Sequence, residues 1–185
     1  MPDFKQVRMS DTTPEEMEQS RLQTICLHRL NQSEPYSLEQ QALLEELFAN
    51  QLPEGAHVMP PLSGVCFDRV RLEKGVFVNS GALMMARGGI TIEAGAMLAA
   101  NVSLLTNNHD LYDRDVLLCS PITIKEGAWI GAGVTIMPGI TVGRWAIVGA
   151  ASVVTHNVPD YAVAVGNPAR VIRTLDASKF PPAKE

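Results

Sequence analysis

The sequence predicts a mainly β chain: a parallel β-helix wound from six-residue repeats, preceded by a short N-terminal helical segment. Three observations predict it. Aliphatic residues recur every six positions from Ile124 through Ile130, Ile136, Val142 and Val148 to Val154. A second set, Ala128, Val134, Ile140, Ala146 and Ser152, keeps the same period two places ahead of each following anchor. Gly131, Gly133, Gly139, Gly143 and Gly149 fall between the anchors, where turns and close packing call for a residue without a Cβ.

A period of six is neither the 3.6 of a helix nor a simple strand alternation. It fits a chain that makes one flat strand and one turn every six residues. Three such strands close a triangular coil of roughly 18 residues, with the aliphatic anchors stacked inside. The coil runs from about Val70 to Val165, and its earlier anchors are Leu72, Val78 and Met84, then Ile92, Leu98 and Leu104. Met84 to Ile92 is a step of eight, and the two extra residues fall at Arg87-Gly88-Gly89, where a glycine pair can absorb a corner bulge. Residues 105–121, LTNNHDLYDRDVLLCSP, break the register altogether. Long departures from a regular scaffold carry function more often than structure.

Ahead of the coil, residues 13–49 read as two helices parted by Asn31-Gln32-Ser33-Glu34-Pro35. Pro14-Glu15-Glu16 suits a first turn after Thr12 or Thr13, and Ser37 to Gln40 follows a capping-box pattern. The chain thus divides into a helical segment (1–58), the repeat coil with its candidate functional loop at 105–121 (59–173), and a polar tail (174–185). That tail carries Pro181-Pro182 and is expected to fray.

Composition excludes several classes of function. With 185 residues and 46% apolar content the chain can bury a core, so it is neither disordered nor fibrous. The net charge is −5 and the basic residues are scattered, which argues against nucleic acid as a partner. Cys26, Cys66 and Cys119 are odd in number and form no CxxC pair, the pattern of reduced thiols. No stretch resembles a signal peptide or a membrane span, so a cytoplasmic protein is expected.

The four histidines are at 28, 57, 109 and 156, and no two share a short metal-ligand spacing, so no metal is expected. His109 stands in Asn107-Asn108-His109-Asp110, within the break and off the ladder. On its residues alone it reads either as an exposed polar loop residue or as a general base, since imidazole can take a proton from an alcohol or amine at neutral pH.

Thr106-Asn107-Asn108-His109, Ile122-Thr123-Ile124 followed by Ala128-Trp129-Ile130-Gly131, and Gly166-Asn167-Pro168-Ala169-Arg170-Val171-Ile172-Arg173 occur in that order. With Leu30-Asn31, Leu43 to Phe48 and Pro60-Pro61 upstream, nearly the whole chain resembles the maltose and galactoside O-acetyltransferases of the hexapeptide-repeat acyltransferase superfamily. The resemblance implies a left-handed coil, an exception to the usual right-handed crossover, and a homotrimer with active sites between subunits. It also implies acetyl-CoA as acetyl donor and a sugar-like acceptor.

By the same resemblance His109 is the base that deprotonates the acceptor hydroxyl. Asn79 is the amide that supports charge at the thioester. Ala132, Ala150, Thr155, Arg170 and Arg173 match coenzyme A positions, the arginines suiting its phosphates. His156 stands where relatives carry Lys, and Trp129 matches a Trp beside the pantetheine or has a packing role. On the acceptor side Asp11 corresponds to an N-terminal acid, Phe77 replaces a Tyr, Val65 replaces a Ser, and Arg87 replaces a sugar-binding acid. A carboxylate accepts hydrogen bonds from sugar hydroxyls whereas a guanidinium only donates, so an acidic or otherwise modified sugar is expected in place of plain galactoside or maltose. Two other readings stay open at this point: an N-acetyltransferase of an amino sugar or antibiotic, and a non-catalytic trimeric β-helix used as a binding module.

Overall fold

The computed structural model describes residues 4–181. Stacked strands build three flat faces, each one sheet. The first face holds residues 70–72, 90–92, 122–124 and 141–142. The second holds 57–58, 77–78, 97–98, 129–130, 147–148 and 162–166, and the third holds 63–65, 83–85, 103–105, 135–136 and 153–154. All of these strands pair in parallel. Ala169–Thr174 then folds back antiparallel on Ala162–Gly166 and closes the upper end of the second face.

The ladder is the one the six-residue period predicts. Leu72, Ile92, Ile124 and Val142 lie one above another on the first face. Val78, Leu98, Ile130, Val148 and Ala164 do so on the second, and Met84, Leu104, Ile136 and Val154 on the third. These anchors are buried almost without exception, and each aliphatic side chain removed from water contributes roughly 1.5–3 kcal/mol.

The glycines between the anchors do two different jobs. Gly133 and Gly139 turn corners at φ 67° and 77°, where a Cβ is strained whatever the space. Gly131 and Gly143 instead let successive rungs touch. A Cβ on Gly131 would sit 2.6 Å from the Ala150 nitrogen, and one on Gly143 would sit 2.4 Å from that of Asp160.

Extra residues leave the coil at one corner only, between the third and first faces. Ile124 and Val142 are 18 residues apart, the regular length of a turn. Val58 and Val78 are 20 apart, as are Leu72 and Ile92. The surplus forms two short 3-10 turns, Phe67–Arg69 and Ala86–Gly88, in successive rungs. In the next rung Ile92 and Ile124 are 32 apart, and there the surplus becomes the excursion at 105–121. The bulge expected at Arg87 is therefore the second of three stacked insertions.

Two helices cover the lower end of the coil. α1 (Pro14–Gln32) starts from Thr13, whose hydroxyl accepts the Glu16 amide at 3.2 Å while the Glu16 carboxylate accepts the Thr13 amide at 3.0 Å. α2 (Leu38–Leu47) starts from Ser37, which accepts the Gln40 amide. Gln40 reaches one residue past a capping box, to the Tyr36 amide at 3.0 Å. Cys26, Leu30, Leu43, Leu47 and Phe48 bury against the first rung, with Phe48 edge-on to Phe67 at 5.6 Å. Asn31 fastens the cover by bonding both backbone groups of Leu62, each at 2.8 Å.

The tail differs from expectation. Its strand runs to Thr174, the Leu175 amide donates to the Tyr161 carbonyl at 2.7 Å, and Phe180 stacks on Trp145 with ring centroids 5.2 Å apart. One aromatic ring landing on two others, Trp145 and Tyr161, holds a segment whose composition alone suggests fraying. Pro182 and the residues after it lie outside the described residues.

Because the Gly131 site leaves no room between rungs, Gly131→Ala should destabilise the protein by about 1–3 kcal/mol. Urea unfolding measures this, and an unchanged midpoint would contradict the close rung contact.

Candidate active site

The excursion is a β-hairpin. Asn107–His109 pairs antiparallel with Val116–Cys119, and the N-terminal strand Lys5–Arg8 adds to the outer edge of Val116–Cys119. Sequence periodicity missed that first strand because only four residues form it and just one is even partly buried. The base of the hairpin is fixed by Thr106, which is fully buried. Its hydroxyl donates to the Met85 carbonyl at 2.5 Å and accepts the Gly88 amide at 2.7 Å, tying the hairpin to the 3-10 turn one rung below.

The tip is tied down by carboxylates. Asp110 accepts the amides of Tyr112 at 2.8 Å and Asp113 at 3.0 Å, an Asx-type turn that holds its carboxyl below the ordinary carboxylate range. Asp115 accepts the hydroxyl of Ser10 at 2.6 Å and its amide at 3.0 Å, and these bonds hold its carboxyl low as well. Arg8 spans to Asp113 at 2.9 Å and Asp115 at 3.2 Å. The N-terminal strand and the hairpin tip thus clamp each other.

His109 ends the inner strand of this hairpin and is exposed. Its Nδ1 lies 2.7 Å from the carbonyl oxygen of Arg114. A carbonyl can only accept, so this contact assigns the proton to Nδ1 and leaves the Nε2 lone pair free. An imidazole oriented by a backbone carbonyl with Nε2 unprotonated is equipped to receive a proton from a substrate.

The other residues singled out from the sequence fall on two corners. Asn79, Ala132 and Ala150 share the corner between the second and third faces, and the Ala151 amide donates to the Ala132 carbonyl at 2.8 Å across the rungs. Asn79 Oδ1 accepts the Ser80 amide at 2.8 Å, which leaves the NH2 end to donate outward. Arg170 lies near this corner, on the returning strand opposite Val165, and Arg173 lies further along the same strand. Neither arginine forms an ion pair among the described residues.

Thr155 and His156 are exposed on the opposite corner, linked by a 2.9 Å contact, above the His109 hairpin and Arg87. Phe77 and Trp129 belong to one outward ladder on the second face with Met97 between them, and Trp129 is 49% exposed. Asp11 closes the turn between the first strand and α1. A single chain does not bring Asn79 to His109: the third face lies between their corners, a span of roughly 20 Å at about 3.3 Å per strand residue.

Two cavities open beside the hairpin. One, of about 430 Å³, is lined by Lys5, Val7, Arg69, Arg87, Gly89 and Cys119 among others. The second, of about 270 Å³, lies against α1 and shares Arg69 and Arg87. Sequence reasoning found Arg87 but not Arg69, although the 20-residue step from Val58 to Val78 marks the turn that carries it. Burial pushes the Cys66 and Cys119 thiols up, while the Arg87 and Arg69 charges pull both back down. Among the described residues no three His, Cys, Asp or Glu side chains are grouped to hold a metal. No helix there is long and apolar enough to cross a membrane.

A coil of six-residue turns with a histidine hairpin at one corner defines the class of hexapeptide-repeat transferases. Residues 121–156 match the family model described as bacterial transferase hexapeptide (six repeats). The galactoside O-acetyltransferase of Escherichia coli K12 is 32% identical over 155 residues, covering 81% of this chain and 76% of that protein. A maltose O-acetyltransferase structure from Clostridium difficile 630 superposes with a TM-score of 0.85 at 27% identity, covering 94% of each chain. A hexapeptide-repeat acetyltransferase of Vibrio cholerae O1 biovar eltor, complexed with acetyl coenzyme A, has a TM-score of 0.83 at 29% identity over 89% of this chain and 91% of that one. The chain belongs to the galactoside O-acetyltransferase family of hexapeptide-repeat acetyltransferases.

The clamp at the hairpin tip depends on pH. Asp110 and Asp115 have folded-state values below the ordinary range, so their contribution is present above about pH 4 and lost as pH falls through the depressed values. Amide hydrogen exchange at falling pH should show Asp113, Asp115 and Val116 losing protection before Ile130 and Val148 do. Loss of protection in both sets together would contradict a separate clamp.

Proposed function

We propose that this protein transfers an acetyl group from acetyl-CoA to a hydroxyl of a sugar-like acceptor, with His109 as general base. The observation that supports it best is the 2.7 Å contact of His109 Nδ1 with the Arg114 carbonyl, which frees Nε2 for the acceptor proton. Nε2 takes that proton as the acceptor oxygen attacks the thioester carbonyl. The tetrahedral intermediate carries its negative charge on the former carbonyl oxygen, and the Asn79 NH2 group suits that charge. The intermediate collapses with cleavage of the carbon–sulfur bond, and the imidazolium returns its proton to the departing coenzyme A sulfur.

Acetyl-CoA fits the exposed corner around Ala132 and Ala150, where small side chains leave the backbone open. Arg170 and Arg173, free of carboxylate partners among the described residues, meet its phosphates. Thr155 and His156 add polar contacts from the other corner, and Trp129 offers an exposed ring to the pantetheine. Asp11, Phe77 and Arg87 form the acceptor side. Since Asn79 and His109 occupy opposite edges of one face, the site takes them from two subunits of a homotrimer. The relatives named galactoside and maltose O-acetyltransferases support the hydroxyl as nucleophile, and the acetyl coenzyme A complex of the Vibrio cholerae relative supports the donor.

His109→Ala should leave the coil folded and lower acetyl transfer by roughly 10²- to 10⁴-fold. Thiol release from acetyl-CoA across a panel of neutral, acidic and amino sugars measures it. Wild-type rates in that variant would remove His109 from the reaction, and thiol release with amino sugars alone would favour N-acetylation.

A further inference from the structure

We propose that the 430 Å³ cavity beneath the hairpin binds an anionic group on the acceptor, a carboxylate, sulfate or phosphate carried by the same molecule whose hydroxyl is acetylated. The inference rests on the transfer reading above for the word acceptor, and on the cavity itself for the anion.

Three cations line this space, Lys5, Arg69 and Arg87, and among the described residues no carboxylate does. None of the three is engaged in an ion pair there either. In a protein of net charge −5, a cavity whose charged lining residues, among those described, are all cations is a local reversal of the overall field. The Arg69 guanidinium is also placed. Arg69 Nη1 donates to the Arg87 carbonyl at 2.8 Å, so the two 3-10 turns are laced together and both arginines are carried by stacked rungs of the coil. Cys66 and Cys119 register the same charges from either side, each feeling Arg87 first and Arg69 second. Planar guanidiniums with free donors match the two oxygens of a carboxylate or the oxygens of a sulfate or phosphate.

The cavity and the histidine belong to the same face of the three-stranded sheet. Lys5 pairs with Cys119 and Cys119 with Asn107; two rows further along, Val7 pairs with Leu117 and Leu117 with His109. Strand side chains alternate faces, so Lys5, Val7, Cys119, Leu117, Asn107 and His109 all share one face. Lys5, Val7 and Cys119 on that face line the cavity. From Lys5 to His109 the diagonal is two strands across and two residues along, about 12 Å. That is a distance one sugar ring and its substituent can bridge. Asn107 lies in the Lys5 row next to His109, and its Oδ1 is buried with no hydrogen-bond partner.

Calorimetric titration without acetyl-CoA tests this at constant ionic strength, with glucose, glucuronate, glucose 6-phosphate and inorganic sulfate as probes. At least one of the two anionic sugars should bind about tenfold or more tightly than glucose, and more tightly than sulfate. Arg69→Gln and Arg87→Gln should each remove most of that preference, while Arg87→Lys, which keeps the charge, should retain more of it than Arg87→Gln. Equal binding of glucose and both its anionic counterparts overturns the inference. Sulfate binding as tightly as the anionic sugars also overturns it, assigning the cavity to a free anion. Thiol release with acetyl-CoA is measured separately, so its absence with every sugar defeats the transfer reading without altering the binding ratio.

Discussion

Hydrogen bonds between successive rungs, repeated along three faces, set the length of every turn of this coil. Each strand of two or three residues must meet its partner one rung away in register, and each aliphatic anchor must land on the anchor beneath it. Slipping one residue would turn the buried anchors outward. Residues beyond the 18 of a regular turn therefore cannot be absorbed within a face and are expelled at a corner. All three expulsions, at 66–69, 86–89 and 105–121, occur at the same corner in consecutive rungs, which gathers the irregular part of the chain into one place.

That gathering gives the site its rigidity. The hairpin leaves a scaffold whose core is fully packed, is fastened at its base by Thr106 and is clamped at its tip by Arg8 and Ser10. His109 needs this twice over, because the tip must stay folded for the Arg114 carbonyl to remain within reach of Nδ1. Lose the turn, and the imidazole loses the partner that fixes its tautomer. The same corner supplies Arg69 and Arg87, so the proposed base and the cationic cavity are organised by one structural device. Asn79 is excluded from it by geometry, since the corner it occupies has no surplus residues. In the proposed reaction, Asn79 is then supplied to His109 by a neighbouring subunit.

How much of this was legible in the sequence follows from what each residue contributes. The anchors from Leu72 to Val154 could be read because burial on a fixed period leaves an aliphatic signature. The rung below them was harder to read, because its third-face anchor is Gly64, with no side chain to register, and a Cβ there would meet the Met84 carbonyl at 2.0 Å. With that rung unread, Phe67–Arg69 looked like part of the approach and Arg69 went unnoticed. The strand Lys5–Arg8 has no apolar pattern because its partner is the polar hairpin, not the core. Phe180 was invisible for a related reason: its binding surface, Trp145 and Tyr161, is assembled from two successive rungs at one corner of the coil. The Thr106 to His109 motif was visible, but the tautomer of His109 depends on a carbonyl five residues away and needs the folded hairpin.

Replacement of the hairpin tests most directly whether the coil is scaffold and the corner between the third and first faces holds the proposed base. The tight corner Met137-Pro138-Gly139 joins Ile136 to Ile140 in an 18-residue rung, so residues 105–121 can be exchanged for the same Met-Pro-Gly turn without disturbing the anchors at Leu104 and Ile122. Circular dichroism and coenzyme A binding should then report a folded coil that still holds the donor, while thiol release with every acceptor falls to background. A variant that transfers acetyl groups at the wild-type rate, or a coil that no longer folds without its hairpin, would contradict this division between scaffold and site.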